Sequence, residues 1–477
     1  MKKYYKVFIV MLLISIIMCS GFIFHHYATD DFNLMNIGYN NFSIYNNLRE
    51  GRPIIYIIEQ LYSRLNISYD VFLISTIIIA IIITCINIIL LFTLIKQYTN
   101  KKDERIIFII LFSTIFNFMY IENLYFPESI TMALSLLFYT LSAKYFFNNN
   151  KYHILKTFFF AILATFCYNG LECYYISLIT FLSLIINDNN YKQLLIDIIK
   201  AGLIILLSVV LNFIQMQLSC KLLNLPDQRT IRNDGIFINL FFLVFYLIPE
   251  TLIISSYLLP KYLYLISLLV LIILSLVIEK KSNIKYYSFN TLILLLICIS
   301  SSFCISIISL SSFGTGRLLF GVGMSIGIIL LYMYIKIDNK NKYKNTLIII
   351  SIIWTLINIF NYTYRTNHSK YLNEVEKKEI LKLDKEIKEY EKENNIKVTD
   401  VVCANPYIRK EVSDIDASAL KTEWSTAGVI NYYTGRNIKK VKINSKQNKK
   451  YLKILKNKEY ILYNNKIIVK IYDWQLS

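Results

Sequence analysis

The residues best suited to chemistry stand in one stretch, Thr29-Asp30-Asp31-Phe32 through Gly51-Arg52-Pro53, between the first two apolar runs of the chain. A helix needs no adjacent acids to cross lipid. A carboxylate at a membrane boundary is partly desolvated, which raises its pKa and its strength as a base. It can then take the proton of an attacking hydroxyl. The arginines that follow, Arg49 and Arg52, carry planar forks suited to gripping a phosphate. Plainer roles exist for each. Asp30 and Asp31 could cap a helix or sit solvated in a loop, and Arg52 could anchor its stem at the membrane interface. The sequence does not distinguish which of the two acids would be the base.

The same residue types recur in later turns expected on that side. Glu122, Asn123 and Glu128 occupy one short turn, and Glu172 follows Tyr168-Asn169-Gly170. Arg229 and Arg232 share a polar loop with Asp227 and Asp234, and Arg317 ends another. The opposite turns carry mainly lysine, which is all that orientation requires. Acids gathered with arginines suggest a held phosphate leaving group. Glu122 and Glu128 could instead favour the start of the next helix, and Glu172 could rest at the interface. His25 and His26 read as loop residues at headgroup level. Trp424 reads as a packing residue, within a stretch, Leu420 to Gly428, that is both polar and aromatic. The four histidines and eight cysteines show no metal-ligand spacing, so neither metal nor cofactor is expected.

These residues need a frame. The chain has 477 residues, 55% of them hydrophobic, with a mean hydropathy of +0.46. Its long apolar runs read as transmembrane helices. Lys2, Lys3 and Lys6 place the N-terminus in the cytoplasm, and the run from Val7 to Phe24 reads as an uncleaved first span. Residues 25–69 are then an outer loop. Within it, Ile54, Ile57, Ile58, Leu61 and Leu65 have helical spacing, the pattern of an amphipathic surface helix. Keeping lysine clusters inside gives about eleven spans. It also leaves one span in 236–280, preceded by a surface or re-entrant helix.

The fold expected is therefore mostly α, with a transmembrane domain over 1–364 and a small extracytoplasmic α/β or α+β domain over 365–477. That tail opens with a charged helix, Tyr371 to Asn394, carrying Glu/Lys pairs. Four β-like runs follow: Lys397–Cys403, Ile438–Ile443, Tyr460–Tyr463 and Ile467–Ile471. The net charge of +19 lies in loop and tail lysines. It points to anionic lipid or wall polymer and not to nucleic acid.

Asp30-Asp31, Gly51-Arg52-Pro53, and Glu122-Asn123-Leu124 leading to Met132-Ala133-Leu134 resemble, in order and in placement, the bacterial O-antigen glucosyltransferase family. That family is similar in architecture to the GT-C class of polytopic glycosyltransferases. The resemblance covers residues 1–365. It implies transfer from an undecaprenyl-phosphate sugar on the extracytoplasmic face, with Asp30 and Asp31 catalytic and Arg52, Glu122 and Asn123 in the site. The function expected is metal-independent, inverting transfer of a hexose from a polyprenyl-phosphate donor to a cell-envelope glycan, in the inner membrane of a bacterial cell. Arg49, Arg52, Glu122, Asn123, Glu128, Glu172, Arg229, Arg232 and Arg317 would bind donor phosphate or substrate. The alternative is a transporter or flippase of a lipid-linked glycan. That would more often show internal repeats and broken or charged mid-span positions, whereas the spans here are nearly free of charge.

Overall fold

The computed structural model describes residues 4–24, 26–99, 103–148, 151–225, 236–282, 284–308, 315–338, 341–408 and 413–472. Long apolar stretches with few breakers make most of it helix. Helices α1 (Tyr5–Met18) and α2 (Ser20–Ile23) run into the acid-bearing stretch. That stretch is itself helical: α3 (Thr29–Phe42) and α4 (Pro53–Arg64) are joined by π and 3-10 turns over 43–50. There follow α5 (Tyr69–Lys96), α6 (Glu104–Ile115), α7 (Ser129–Phe146), α8 (His153–Cys167), α9 (Glu172–Ile186) and α10 (Tyr191–Leu222). Then come α11 (Ile236–Phe242), α12 (Ile248–Ile254), α13 (Leu263–Ser282), α14 (Tyr287–Ile308) and α15 (Phe320–Lys336).

Helix α16 (Tyr343–Asn394) is 52 residues long, about 78 Å at the usual rise. The sequence suggests a span and a separate charged helix here. No Gly or Pro falls between Tyr343 and Asn394, so the helix has no reason to stop.

Among the described residues, six helical runs are long and apolar enough to cross a membrane: α5, α10, Leu240–Tyr257, α13, Tyr287–Cys304 and α16. On this measure the expected eleven are not reached. Helices α1, α8, α9 and α15 are apolar but shorter. The chain beside α6 and α15 tightens into 3-10 turns, Tyr120–Leu124 and Gly316–Leu318, which hold Glu122 and Arg317. Two of the six runs, Leu240–Tyr257 and α13, cover the stretch 236–280, where one span is expected. The chain reverses between them at Ser255, Ser256 and Tyr257, all at positive φ.

The bundle has two chemically different ends. At one, Lys336 pairs with Asp188 at 2.7 Å and Lys96 pairs with Glu104. At the other lie α3, α4 and the tail. Helix α4 buries Ile55 and Glu59 and exposes Ile57 and Leu61, with Leu65 exposed just past its end, the one-sided apolar stripe of an amphipathic helix.

The tail contains β1 (Asp400–Ala404), α17 (Thr426–Thr434), β2 (Lys439–Lys440), α18 (Ser445–Leu455), β3 (Tyr460–Tyr463) and β4 (Lys466–Lys470). All four β-like runs of the sequence supply strands. The sheet order is β2-β1-β4-β3, parallel except for β3 against β4. Val401, Ile467 and Val469 pack with Ile380, Leu383 and Ile387 of α16 and with Phe32 of α3. Arg436 clamps the sheet domain to α16 through Asp384 at 2.5 Å and Glu391 at 3.0 Å.

Helix α17 docks on α3. Asn431 donates to the Asn36 side-chain oxygen at 2.9 Å, and the Tyr27 and Tyr432 hydroxyls lie 2.8 Å apart. Gly428 faces the Phe32 carbonyl so closely that a Cβ would overlap it. Gly428→Val is expected to lift α17 from α3 and open the tail to limited proteolysis, with membrane insertion retained. An unchanged digestion pattern would show that this contact does not hold the tail.

Candidate active site

The adjacent acids part company at the start of α3. Ala28 is extended, at φ −76° and ψ 165°, and has no side-chain acceptor for the exposed N–H groups. Asp31 reaches back instead: its Oδ2 accepts from the Ala28 N–H at 2.6 Å. This is the carboxylate half of a capping box, and it leaves Asp31 only 2% exposed. Asp30 points elsewhere. Its Oδ1 accepts from the Trp424 indole N–H at 2.8 Å, and part of its surface stays open.

Arg52 is set by the turn before it. Gly51 adopts φ 78°, a conformation glycine reaches without strain, and Asn212 holds its carbonyl at 2.7 Å. Pro53 then opens α4 at a position where a missing N–H costs nothing. The guanidinium does not snorkel. It pairs with Glu128 at 3.1 Å and Glu50 at 3.3 Å, and lies over the Tyr168 ring at 5.2 Å. Its Nε is buried without a partner among the described residues. Glu128 precedes α7 but makes no side-chain cap bond to it. Glu59 of α4 is fully buried nearby and accepts from Asn47 at 2.8 Å.

Arg317 is the second cationic centre. Its backbone N–H donates to Glu122 Oε2 at 3.1 Å, and its guanidinium lies over Phe126 at 4.2 Å. Nη2 stands 3.9 Å from Asp414 in the tail. Gly316 has no room for a side chain, since a Cβ there would press on Leu258 and Glu122. Beside it, Arg365 of α16 pairs with Asp416 at 3.1 Å and donates to the Tyr257 carbonyl.

Asp30, Arg52, Glu122, Glu128 and Arg317 are thus brought to one place. The other expected site residues differ. Asp31 serves the helix start. Arg49 turns back on its own turn, donating to the Tyr45 carbonyl at 3.1 Å. Glu172 opens α9 beside Tyr139, and no arginine pairs with it among the described residues. Asn123 is buried, its amide unpartnered among those residues. Arg229 and Arg232 lie outside the described residues, as does His25. His26 lies between helices as a buried ring packed on Phe22 and Tyr125. Burial pushes its pKa down to about 3, so it is neutral.

Sequence reasoning misses the parts played by Trp424, Asp414, Asp416 and Glu59. An acid pair in a basic tail is a usable signal for Asp414 and Asp416, and so is Glu59 sharing a helical face with Ile55.

The electrostatics are acid-rich. Burial, then the nearby Glu128, pushes Asp30 up to about 7 against the opposing pull of Arg317, Trp424 and Arg52. Burial and Asp414 push Glu122 up to about 8. Burial also raises Asp414 and Glu59. No group of three or more His, Cys, Asp or Glu among the described residues is arranged to hold a metal. What remains is a half-open carboxyl that titrates near neutral pH, flanked by two guanidinium groups. Such a set can accept a proton and stabilise a departing anion.

No protein-family model matches the chain, and none of the curated proteins matches it either.

Raised carboxyl pKa values set a direction for stability. The folded chain keeps protons on Asp30 and Glu122 that the unfolded chain releases near its ordinary carboxylate values. Their contribution is full below those values and is lost as pH rises through about 7 and 8. The unfolding temperature is expected to fall across this window. Asp30→Asn with Glu122→Gln should flatten the fall; an equally steep profile in the double variant would assign it to other groups.

Proposed function

We propose that the chain is a membrane glycosyltransferase that moves a sugar from a polyprenyl-phosphate donor to a cell-envelope glycan. The observation that carries this reading is Asp30: a half-open carboxylate held by Trp424 at 2.8 Å, with Arg317 and Arg52 in electrostatic reach. The acceptor hydroxyl oxygen attacks the anomeric carbon and forms the new C–O bond. The bond from that carbon to the donor phosphate oxygen breaks, and its electron pair leaves with the phosphate. The hydroxyl proton passes to Asp30. One displacement inverts the anomeric centre and releases polyprenyl phosphate. Arg317 and Arg52 neutralise the charge that grows on the leaving oxygen.

A membrane arrangement supports the same reading. Eleven crossings by α1, α5 to α10 and α13 to α16 leave the lysine-bearing turns in the cytoplasm and the site outside, as the positive-inside rule asks. The run 236–257 then lies at the outer surface. Asn212, well before the end of α10, is already level with Gly51, and Tyr257 at the far end of the run meets Arg365. The exposed stripe of α4 rests on the same leaflet, next to the lipid that carries the donor.

The test compares envelope glycan and transfer rate in cells making each variant. Asp30→Asn is expected to lower transfer by about 100-fold or more, the usual scale for a general base. The rate of the parent protein should rise with pH through about 7 as Asp30 loses its proton. Asp31→Asn should retain most activity, because an amide oxygen can still accept from Ala28. Full transfer by Asp30→Asn would sink the assignment.

A further inference from the structure

Trp424 belongs to the tail, yet its indole nitrogen meets a carboxylate on the first helix after α2. Its placement is fixed on three sides. Glu376 of α16 accepts from Ser418 at 2.6 Å and from the Leu420 N–H at 2.9 Å. Ser425 and Thr426 close the turn around it, donating to Ala419 at 2.8 Å and Thr422 at 2.7 Å. Gly428 then seats α17 on Phe32. A residue held this firmly would normally be covered, but Trp424 remains 45% exposed.

We propose that Trp424 is a positioning residue of the site: its N–H fixes Asp30 through Oδ1, and its open ring face receives a sugar ring of the acceptor glycan. This rests on the reading of Asp30 as the base. With Oδ1 occupied by the indole, Oδ2 is the oxygen left to take the hydroxyl proton. Stacking sets the hydroxyl's approach, because the apolar C–H face of a pyranose packs on an aromatic ring while its hydroxyls stay at the edge. The tail thereby supplies the acceptor side of the site, and the bundle supplies Arg52 and Arg317 on the donor side. The groups that face Asp30 are Asp31 on its own helix, Glu128 before α7, Arg52 before α4, Arg317 before α15, and Trp424. Of these, Trp424 alone carries no ionisable group, so its removal changes a hydrogen bond without removing a charge.

Phe and Ala separate the two roles in the full-length protein in membrane vesicles, with undecaprenyl-phosphate glucose as donor and purified envelope polysaccharide as acceptor. Trp424→Phe keeps a ring and loses the N–H. It is expected to move the acid limb of the pH–rate profile upward by roughly one unit, the effect of one hydrogen bond to a charged group, with acceptor KM unchanged. Trp424→Ala should move the limb equally and also raise acceptor KM, with donor KM unchanged. An unmoved limb in Trp424→Phe, or an unmoved acceptor KM in Trp424→Ala, overturns the proposal. Asp30→Asn in the same assay separates the failures. If it is inactive while both Trp424 variants match the parent, only the role of Trp424 falls. If it is active, the base assignment falls and takes this proposal with it.

Discussion

Three carboxylates share the field of one guanidinium at Arg317: Asp414, Asp30 and Glu122. Arg317 is assisted at Asp30 by Arg52, yet the acids around it outnumber the guanidinium groups, and charge in a poorly solvated cleft is costly. Burial first, then the neighbouring acids Glu128 and Asp414, favours the protonated forms of Asp30 and Glu122. Much of the local backbone serves this cluster. The 3-10 turn at Gly316–Leu318 exposes the Arg317 N–H to Glu122, and Gly316 leaves space for that contact.

The second demand is mechanical. The two adjacent acids of α3 take different tasks. Asp31 takes the capping task, whereas Asp30 meets Trp424 and keeps part of its surface open. Helix α17 then braces α3 from the tail side, and Asn212 braces the Gly51 turn from α10. Three separate parts of the chain therefore fix a cluster only a few side chains wide. Such bracing is what a geometry-dependent reaction needs.

Much of this is legible in the amino-acid sequence alone. Acids and arginines are costly beside apolar runs, so their presence at Arg52, Glu122, Glu128 and Arg317 is informative by scarcity. The β-like runs of the tail are also plain, because alternation and β-branched content are local signals. The role of Trp424 is not readable, since 394 positions separate it from Asp30 and a single sequence shows no distant contact. The division between Asp30 and Asp31 is hidden as well. It depends on where α3 begins, and Ala28 gives no capping side chain to mark the place. The span count drifts because turns that carry site residues shorten the apolar helices around them. Continuity of α16 is concealed by the change from apolar to charged composition, although composition does not end a helix.

That unbroken α16 has a bearing on how the chain can vary. Thr366 is held to the Met18 carbonyl and Ser369 to the Ile415 carbonyl, so both the bundle and the tail read their position from the same helical screw. One residue inserted between these anchors would swing everything beyond it by about 100° and advance it by about 1.5 Å. Trp424 would leave Asp30 altogether. The two anchoring hydroxyls are buried and fixed in kind, and the length between them is counted to the residue, as the tooth number of a gear is.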